Sequence, residues 1–283
     1  MTIELELIKD VDKLIPRPEV SIEVMTLANQ SDCDIGLLSK TINQDPSLMA
    51  NMLRMANSAY FGHMQQIKSL RDIIVRLGLD SVRIIAITSA SAGLLKSPQE
   101  AYNLEPGALW RHSYATALLA GIIGRAAKLR ETSSLFSAAL LHDVGKIILN
   151  RHLQAEAMHR GDAVQAQSLL ELESSLLHTD HAKVGKALLE RWGLPPGITG
   201  PVGSHHQLAA CQNQPAQIVY LANYLTASIG ISSQDADNYF CQVKDWYETN
   251  PDLPDIPAFR EQMDSIITQF YEQLNETTTL EFS

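Results

Sequence analysis

Apolar residues recur along most of the chain at the three- and four-residue spacing of helices that face a core. No segment alternates with the period of two that a half-buried strand requires. Asp45-Pro46 pairs a capping carboxylate with a first-turn proline, and Leu48, Met49, Met52, Leu53 and Ala56 follow at helical spacing. Ile73, Ile74 and Leu77 predict a short helix that ends at Gly78, a residue suited to a left-handed terminal position. Asp80 then caps a helix through Val82, Ile85 and Ala86 toward Leu94, whose small residues from Ala86 to Ala92 permit close packing. Ser97-Pro98 and the stretch Asn103 to Gly107 break the pattern and put a subdomain boundary near residue 100. Long helical patterns follow at about 108–128, 133–150 and 162–177. Asp180 caps a helix whose apolar face is Val184, Ala187, Leu188 and Trp192. Gly193 ends it, and Leu194-Pro195-Pro196 forces a turn. Ile218, Leu221, Ala222 and Leu225 mark another helix, and Asp255 with Pro257 starts a last one at about 257–273, leaving 275–283 frayed. Many helices on short connections predict an all-α bundle. Its expected parts are an N-terminal helical part (1–100), a second helical part (101–230) and a C-terminal extension (231–283).

Composition narrows the function classes. Of 283 residues, 45% are hydrophobic and 19% charged, enough to bury a core without disulfides. Cys33, Cys211 and Cys241 are isolated, so no disulfide framework or Cys-based zinc site is expected, and a reducing compartment fits. The net charge is −10, which argues against a broad phosphate-binding surface and hence against a long nucleic acid as partner. Eleven acidic and two basic side chains fall in 231–283, so the main body is nearly neutral. Met1-Thr2-Ile3-Glu4-Leu5-Glu6 shows no basic region ahead of an apolar run, and no apolar stretch approaches the roughly 20 residues of a membrane span. A cytoplasmic protein that does not enter membranes is the expectation.

The nine histidines carry most of the chemical information. His63, His152 and His159 are isolated and read as surface or core residues, and His178 lies just outside a helix start. The others form an ordered series: His112, His142-Asp143, His181 and His205-His206. Leu141-His142-Asp143-Val144-Gly145-Lys146 lies between apolar runs, so Asp143 is expected to be partly buried, and a buried carboxylate needs a partner. A divalent cation would satisfy it; so would hydrogen bonds from a neighbouring helix, the plainer reading of His142-Asp143. Lys146 projects from about the same side of the helix, where it could hold an anionic oxygen. His181 falls in a first helical turn, where the dipole disfavours protonation and leaves a ring fit for metal ligation. Imidazoles with a carboxylate suit Fe, Mn, Zn, Co or Ni better than Ca or Mg.

This order of histidines resembles the HD superfamily of metal-dependent phosphohydrolases, and more closely its HDOD branch. The likeness extends to Leu14-Ile15-Pro16-Arg17-Pro18, Asp45-Pro46-Ser47-Leu48, Leu53 through Ala59, Ile73 through Leu79, and Trp192-Gly193-Leu194-Pro195, covering about residues 8–230. It implies an HD-type helical bundle with an N-terminal helical subdomain packed on it. It also implies one metal held by His112, His142 and Asp143, a second by His181, His205 and His206, and a bridging Asp143. Asn223 stands where catalytic relatives carry an Asp, which removes one negative charge from the first site. The Gly-Tyr-Pro signature of the branch that cleaves cyclic di-guanylate is missing after the doublet, where the chain reads Gln207-Leu208-Ala209-Ala210-Cys211.

Two functions follow. In the first, one or two divalent transition-metal ions activate water against the phosphoester of a small phosphorylated ligand or nucleotide, with Asp143 positioning and Lys146 neutralising developing charge. In the second, the protein is a non-catalytic signalling or interaction module with a structural or vestigial metal, and the N-terminal helices present a face to a signalling partner. Met49, Met52, Met55 and Met64 could form that face, or simply belong to the core. Tyr60-Phe61-Gly62-His63 reads as a helix end with packed aromatics.

Overall fold

The computed structural model describes residues 2–9, 19–28, 30, 32–57, 66–160, 168–207, 213–229, 247 and 253–281. Among them there is no β-strand, only one isolated bridge between Gln99 and Leu104. The N-terminal helices are α1 (Ile3–Leu7), α2 (Glu19–Ala28), α3 (Ile35–Ile42), α4 (Pro46–Ala56) and α5 (Leu70–Leu95). A 3-10 turn, Glu100–Tyr102, leads into α6 (Ala108–Ala126), α7 (Thr132–Leu141), α8 (Gly145–Arg160), α9 (Leu169–Leu177), α10 (His181–Arg191), α11 (Pro196–Ser204), α12 (Gln214–Ile229) and α13 (Pro257–Glu281).

Local chemistry explains most boundaries. Asp45 caps α4 by accepting from the backbone N–H of Ser47 (2.9 Å) and Leu48 (3.1 Å), with Pro46 in the first turn. Asp180 caps α10 by accepting from Lys183 N at 2.9 Å. Gly193 takes the left-handed φ of +79° expected past that helix. Gly78, at φ 80° and ψ 171°, is non-helical and divides the run α5 into two helical pieces, where the sequence predicts a helix end. The pattern expected at 133–150 is two helices, α7 and α8, with His142, Asp143 and Val144 in the turn between them. Backbone bonds tighten there to the three-residue type, Val144 N to Leu141 O and Lys146 N to Asp143 O, both 3.0 Å. Helix α13 continues to Glu281, past the expected fraying point.

One contiguous core runs from Ile8 to Leu274. Helices α2 and α4 lie along α5, which also meets α6 and α7. Helix α6 is central, flanked by α7, α12 and α13. The acidic extension therefore does pack one face on the bundle, burying Phe259, Met263, Ile266, Ile267 and Phe270. Met52 is fully buried, and Met49 and Met55 pack against the core, so these methionines belong to the interior. Asn57 exchanges backbone-like bonds with Ile67 (2.7 and 2.8 Å), closing the loop after α4. Leu14 to Pro18, Ser58 to Met64, Leu208 to Cys211 and residues 230–246 lie outside the described residues, as does the side chain of His159. No described helix is long and apolar enough to cross a membrane.

Candidate metal centre

Four helix ends and two helix faces converge on Asp143. His112 projects from α6 and Asn223 from α12. His142 and Asp143 occupy the α7–α8 turn, with Lys146 on the first turn of α8. His181 opens α10, and His205 and His206 follow the end of α11. Gly145 makes this convergence feasible. A Cβ built there would fall on the carbonyl oxygen of His181 and lie 2.7 Å from the backbone nitrogen of Gly185. The bare backbones of α8 and α10 therefore touch, which brings His181 onto Asp143.

Asp143 is 1% exposed and sits in a ring of nitrogen atoms. Its Oδ2 accepts from Lys146 Nζ at 2.6 Å and lies 3.3 Å from His142 Nε2 and 3.7 Å from His112 Nε2. Its Oδ1 lies 3.1 Å from His181 Nε2 and 3.8 Å from His205 Nε2. His181 Nε2 and His206 Nε2 lie 2.8 Å apart, within hydrogen-bond distance of each other. On the other side, His112 Nε2 donates to Asn223 Oδ1 at 2.9 Å. All seven candidate ligands named from the sequence, and Lys146, thus meet in one place. Two groups within them are close enough to hold a metal ion: His112, His142 and Asp143, and His181, His205 and His206.

The rings are aimed as well as assembled. His142 Nδ1 donates to Ala139 O at 2.7 Å and His205 Nδ1 to Val202 O at 2.6 Å. His181 Nδ1 donates to Glu173 (2.8 Å). Each bond commits one ring nitrogen outward and turns Nε2 toward the centre. His142 Nε2, His205 Nε2 and Asp143 Oδ1 are buried and make no hydrogen bond. Unpartnered buried atoms of this kind are rare because each is costly.

The electrostatics follow from burial and charge. Burial holds His112 and His206 near pKa 4 and His205 well below the ordinary imidazole range. Burial alone would raise Asp143, but the neighbouring His142 ring and the Lys146 ammonium outweigh it and hold the carboxyl well below the usual range. His181 departs from the sequence expectation of a ring neutralised by the helix dipole. Burial pushes its pKa down, but the carboxylates of Asp143 and Glu173 outweigh that and raise it.

The profile of the HDOD domain matches residues 14–208, more than two thirds of the sequence. The chain belongs to the HDOD family. Its fold is similar to an HDOD domain protein of unknown function from Geobacter sulfurreducens. The TM-score is 0.71 at 23% identity, over 96% of this chain and 97% of that one. It is also similar to a candidate phosphohydrolase from Shewanella amazonensis SB2B (TM-score 0.70, 21% identity, 95% and 97% covered). An uncharacterized protein of Treponema pallidum (strain Nichols) is 23% identical over 202 residues, 70% of this chain. That match spans only 38% of the Treponema protein.

Sequence reasoning about this HDOD chain missed three residues at the centre. Glu173 is fully buried and bonded to His181, and Tyr102 is bonded to Glu173 at 2.7 Å. Glu173 looks like one charge on an amphipathic helix until the fold buries it. Gly145 was legible only as part of the His142–Lys146 segment. His178 caps α9 in a left-handed conformation, and His152 lies on α8. Neither is among the residues grouped around Asp143.

Proposed function

We propose that this HDOD protein is a metal-dependent phosphohydrolase acting in a signalling or regulatory system. The observation that carries the reading is the trio of buried, unpartnered atoms, His142 Nε2, His205 Nε2 and Asp143 Oδ1, in a nest of rings whose other nitrogens are already committed. Nitrogen donors around one carboxylate fit Fe, Mn, Zn, Co or Ni. His112, His142, Asp143 and Asn223 would hold one ion and His181, His205 and His206 another, with Asp143 shared between them. When bound, the metal supplies Lewis acidity toward a phosphoryl oxygen and lowers the pKa of water.

The chain's own groups supply the rest. The deeply buried members, His142, Asp143, His181 and His205, form the floor, whereas His112, Lys146, His206 and Asn223 are partly exposed. A small phosphorylated ligand or nucleotide would approach over the exposed side, where Lys146 can neutralise phosphoryl charge without leaving Asp143. Asp143 orients the attacking water. Cyclic di-guanylate is not the expected substrate, because the Gly-Tyr-Pro signature is missing from the sequence.

One observation favours a second reading, a signalling scaffold with a structural metal. Asn223 occupies the place of a carboxylate and engages His112 directly, so that half of the centre is partnered without an ion. The experiment is elemental analysis of protein purified without chelator, with phosphoester hydrolysis measured over nucleotides and sugar phosphates. Near-stoichiometric metal, lost in His142→Ala together with turnover, is the expected result. Bound metal without turnover of any phosphoester leaves the scaffold. Protein free of metal even after incubation with Mn2+, Zn2+ or Co2+ ends the hydrolase reading and leaves a scaffold whose metal site is vestigial.

A further inference from the structure

Glu173 is 0% exposed on α9, and its charge meets no Lys or Arg among the described ion pairs. Burying a carboxylate this way is costly unless its oxygens are fully hydrogen-bonded. Here every donor comes from two residues. The backbone N–H of His181 donates to Oε2 at 2.8 Å, and His181 Nδ1 lies 2.8 and 2.9 Å from the two oxygens. Tyr102 Oη donates to Oε1 at 2.7 Å. His142 and His205 are oriented by backbone carbonyls, so among these three rings only His181 rests on a carboxylate. His181 is also the ring whose Nε2 faces both Asp143 (3.1 Å) and His206 (2.8 Å).

We propose that Glu173 is a positioning residue that fixes the His181 ring with its proton on Nδ1 and Nε2 turned to the metal side, and that Tyr102 holds Glu173 in that role. An outer carboxylate fixes a ligand's tautomer and makes the opposite nitrogen a stronger donor. Tyr102 reaches Glu173 from the 3-10 turn joining the N-terminal helices to the rest. That turn is pinned to α8 by Ala101 N donating to Asn150 Oδ1 (2.8 Å) and by Gln154 Nε2 donating to Glu100 (2.9 Å). The link therefore runs from the connection between the two helical parts to a single ring of the centre.

The role rests on the metal reading, and one experiment separates their failures. The full chain, stripped with chelator, is titrated with Co2+, read by its visible absorption, and the metal-free thermal midpoint is recorded beside it. Glu173→Gln should bind Co2+ about 10–100-fold more weakly, the range typical of lost outer partners, a loss beyond what any drop in the metal-free midpoint accounts for. Glu173→Asp, which keeps the charge, should bind more tightly than Glu173→Gln. If Glu173→Gln does not fold, Tyr102→Phe carries the comparison with an expected several-fold loss. Wild-type Co2+ affinity in these variants overturns the role alone, as does a loss that simply tracks reduced metal-free stability. Failure of the unsubstituted protein to bind Co2+ overturns the metal reading and the role with it.

Discussion

Two glycines in helices should respond in opposite ways to the same added methyl group. Helix propensity alone says that Gly→Ala within a helix stabilises by about 1 kcal/mol. Gly93, exposed on α5, has nothing within 4 Å of a built Cβ, so Gly93→Ala should gain about that amount. Gly145 is the opposite case. A methyl there meets the backbone of His181 and Gly185, neither of which can rotate away. Restoring ordinary contact with Gly185 N means moving from 2.7 Å to at least 3.4 Å, and His181 O demands more. Overpacking of this kind costs about 3 kcal/mol, which outweighs the propensity gain. At about 2 °C per kcal/mol for a chain of this size, Gly145→Ala should lower the melting midpoint by several degrees and Gly93→Ala should raise it slightly. Because the same shift carries His181 away from Asp143, Gly145→Ala should also weaken metal binding while Gly93→Ala leaves it alone. Thermal melts of both variants, paired with a Co2+ titration, check this. A Gly145→Ala protein as stable as its parent, with unchanged Co2+ affinity, would refute the packing argument.

The buried rings make the metal-free protein sensitive to acid. His112 and His206 are held near pKa 4, below the ordinary imidazole value of 6.5, so between these limits the unfolded chain binds protons that the folded chain refuses, and stability falls as pH falls. Each ring contributes about 2 kcal/mol of loss between pH 7 and pH 5, partly offset by His181, whose raised value has the opposite sign. Urea midpoints at the two pH values should show the loss, and His206→Gln should shrink it; an equal loss in that variant contradicts the assignment. Phe270→Ala should cost about 3–5 kcal/mol in urea melts, because α13 docks through a fully buried ring. Asn223→Asp should raise the number of metal equivalents retained on dialysis, read by elemental analysis, by restoring a charged ligand beside His112. No change there would mean the His112 half holds metal equally well with an amide.

The parts legible in advance were those set by local chemistry. Asp45-Pro46, Asp180 and Gly193 act within one turn of their own positions, so their sequence context predicts the observed caps and the left-handed residue. Convergence of His112, His142, Asp143, His181, His205, His206 and Asn223 was legible from resemblance, not from spacing. The least legible features depend on what folding places opposite a residue. His142 and Asp143 read as mid-helix because apolar residues flank them on both sides, yet α7 and α8 break there so that the pair can face inward. His181 read as a neutral ring at a helix start, because its first-turn position was visible and Glu173, eight residues away on another helix, was not.

Charge at the centre bears on which ligand it would take. Asp143 and Glu173 bring two formal negative charges and Lys146 returns one, so the metal-free core, with its rings counted as neutral, stands at −1. A divalent ion would bring the centre to about +1, and a second ion to about +3. An Asp in place of Asn223 would lower each figure by one. The substitution therefore acts in two directions. It weakens the case for a second ion, because that ion must enter an already positive site without its carboxylate. It strengthens the case for an anionic ligand beside the first ion, because surplus positive charge in a poorly solvated site is relieved most directly by a phosphoryl group. With Lys146 at the exposed edge, the proposed function predicts that metal-loaded protein binds a small phosphate ester whether or not turnover follows. Phosphate affinity measured with and without metal thus reports on the centre independently of catalysis.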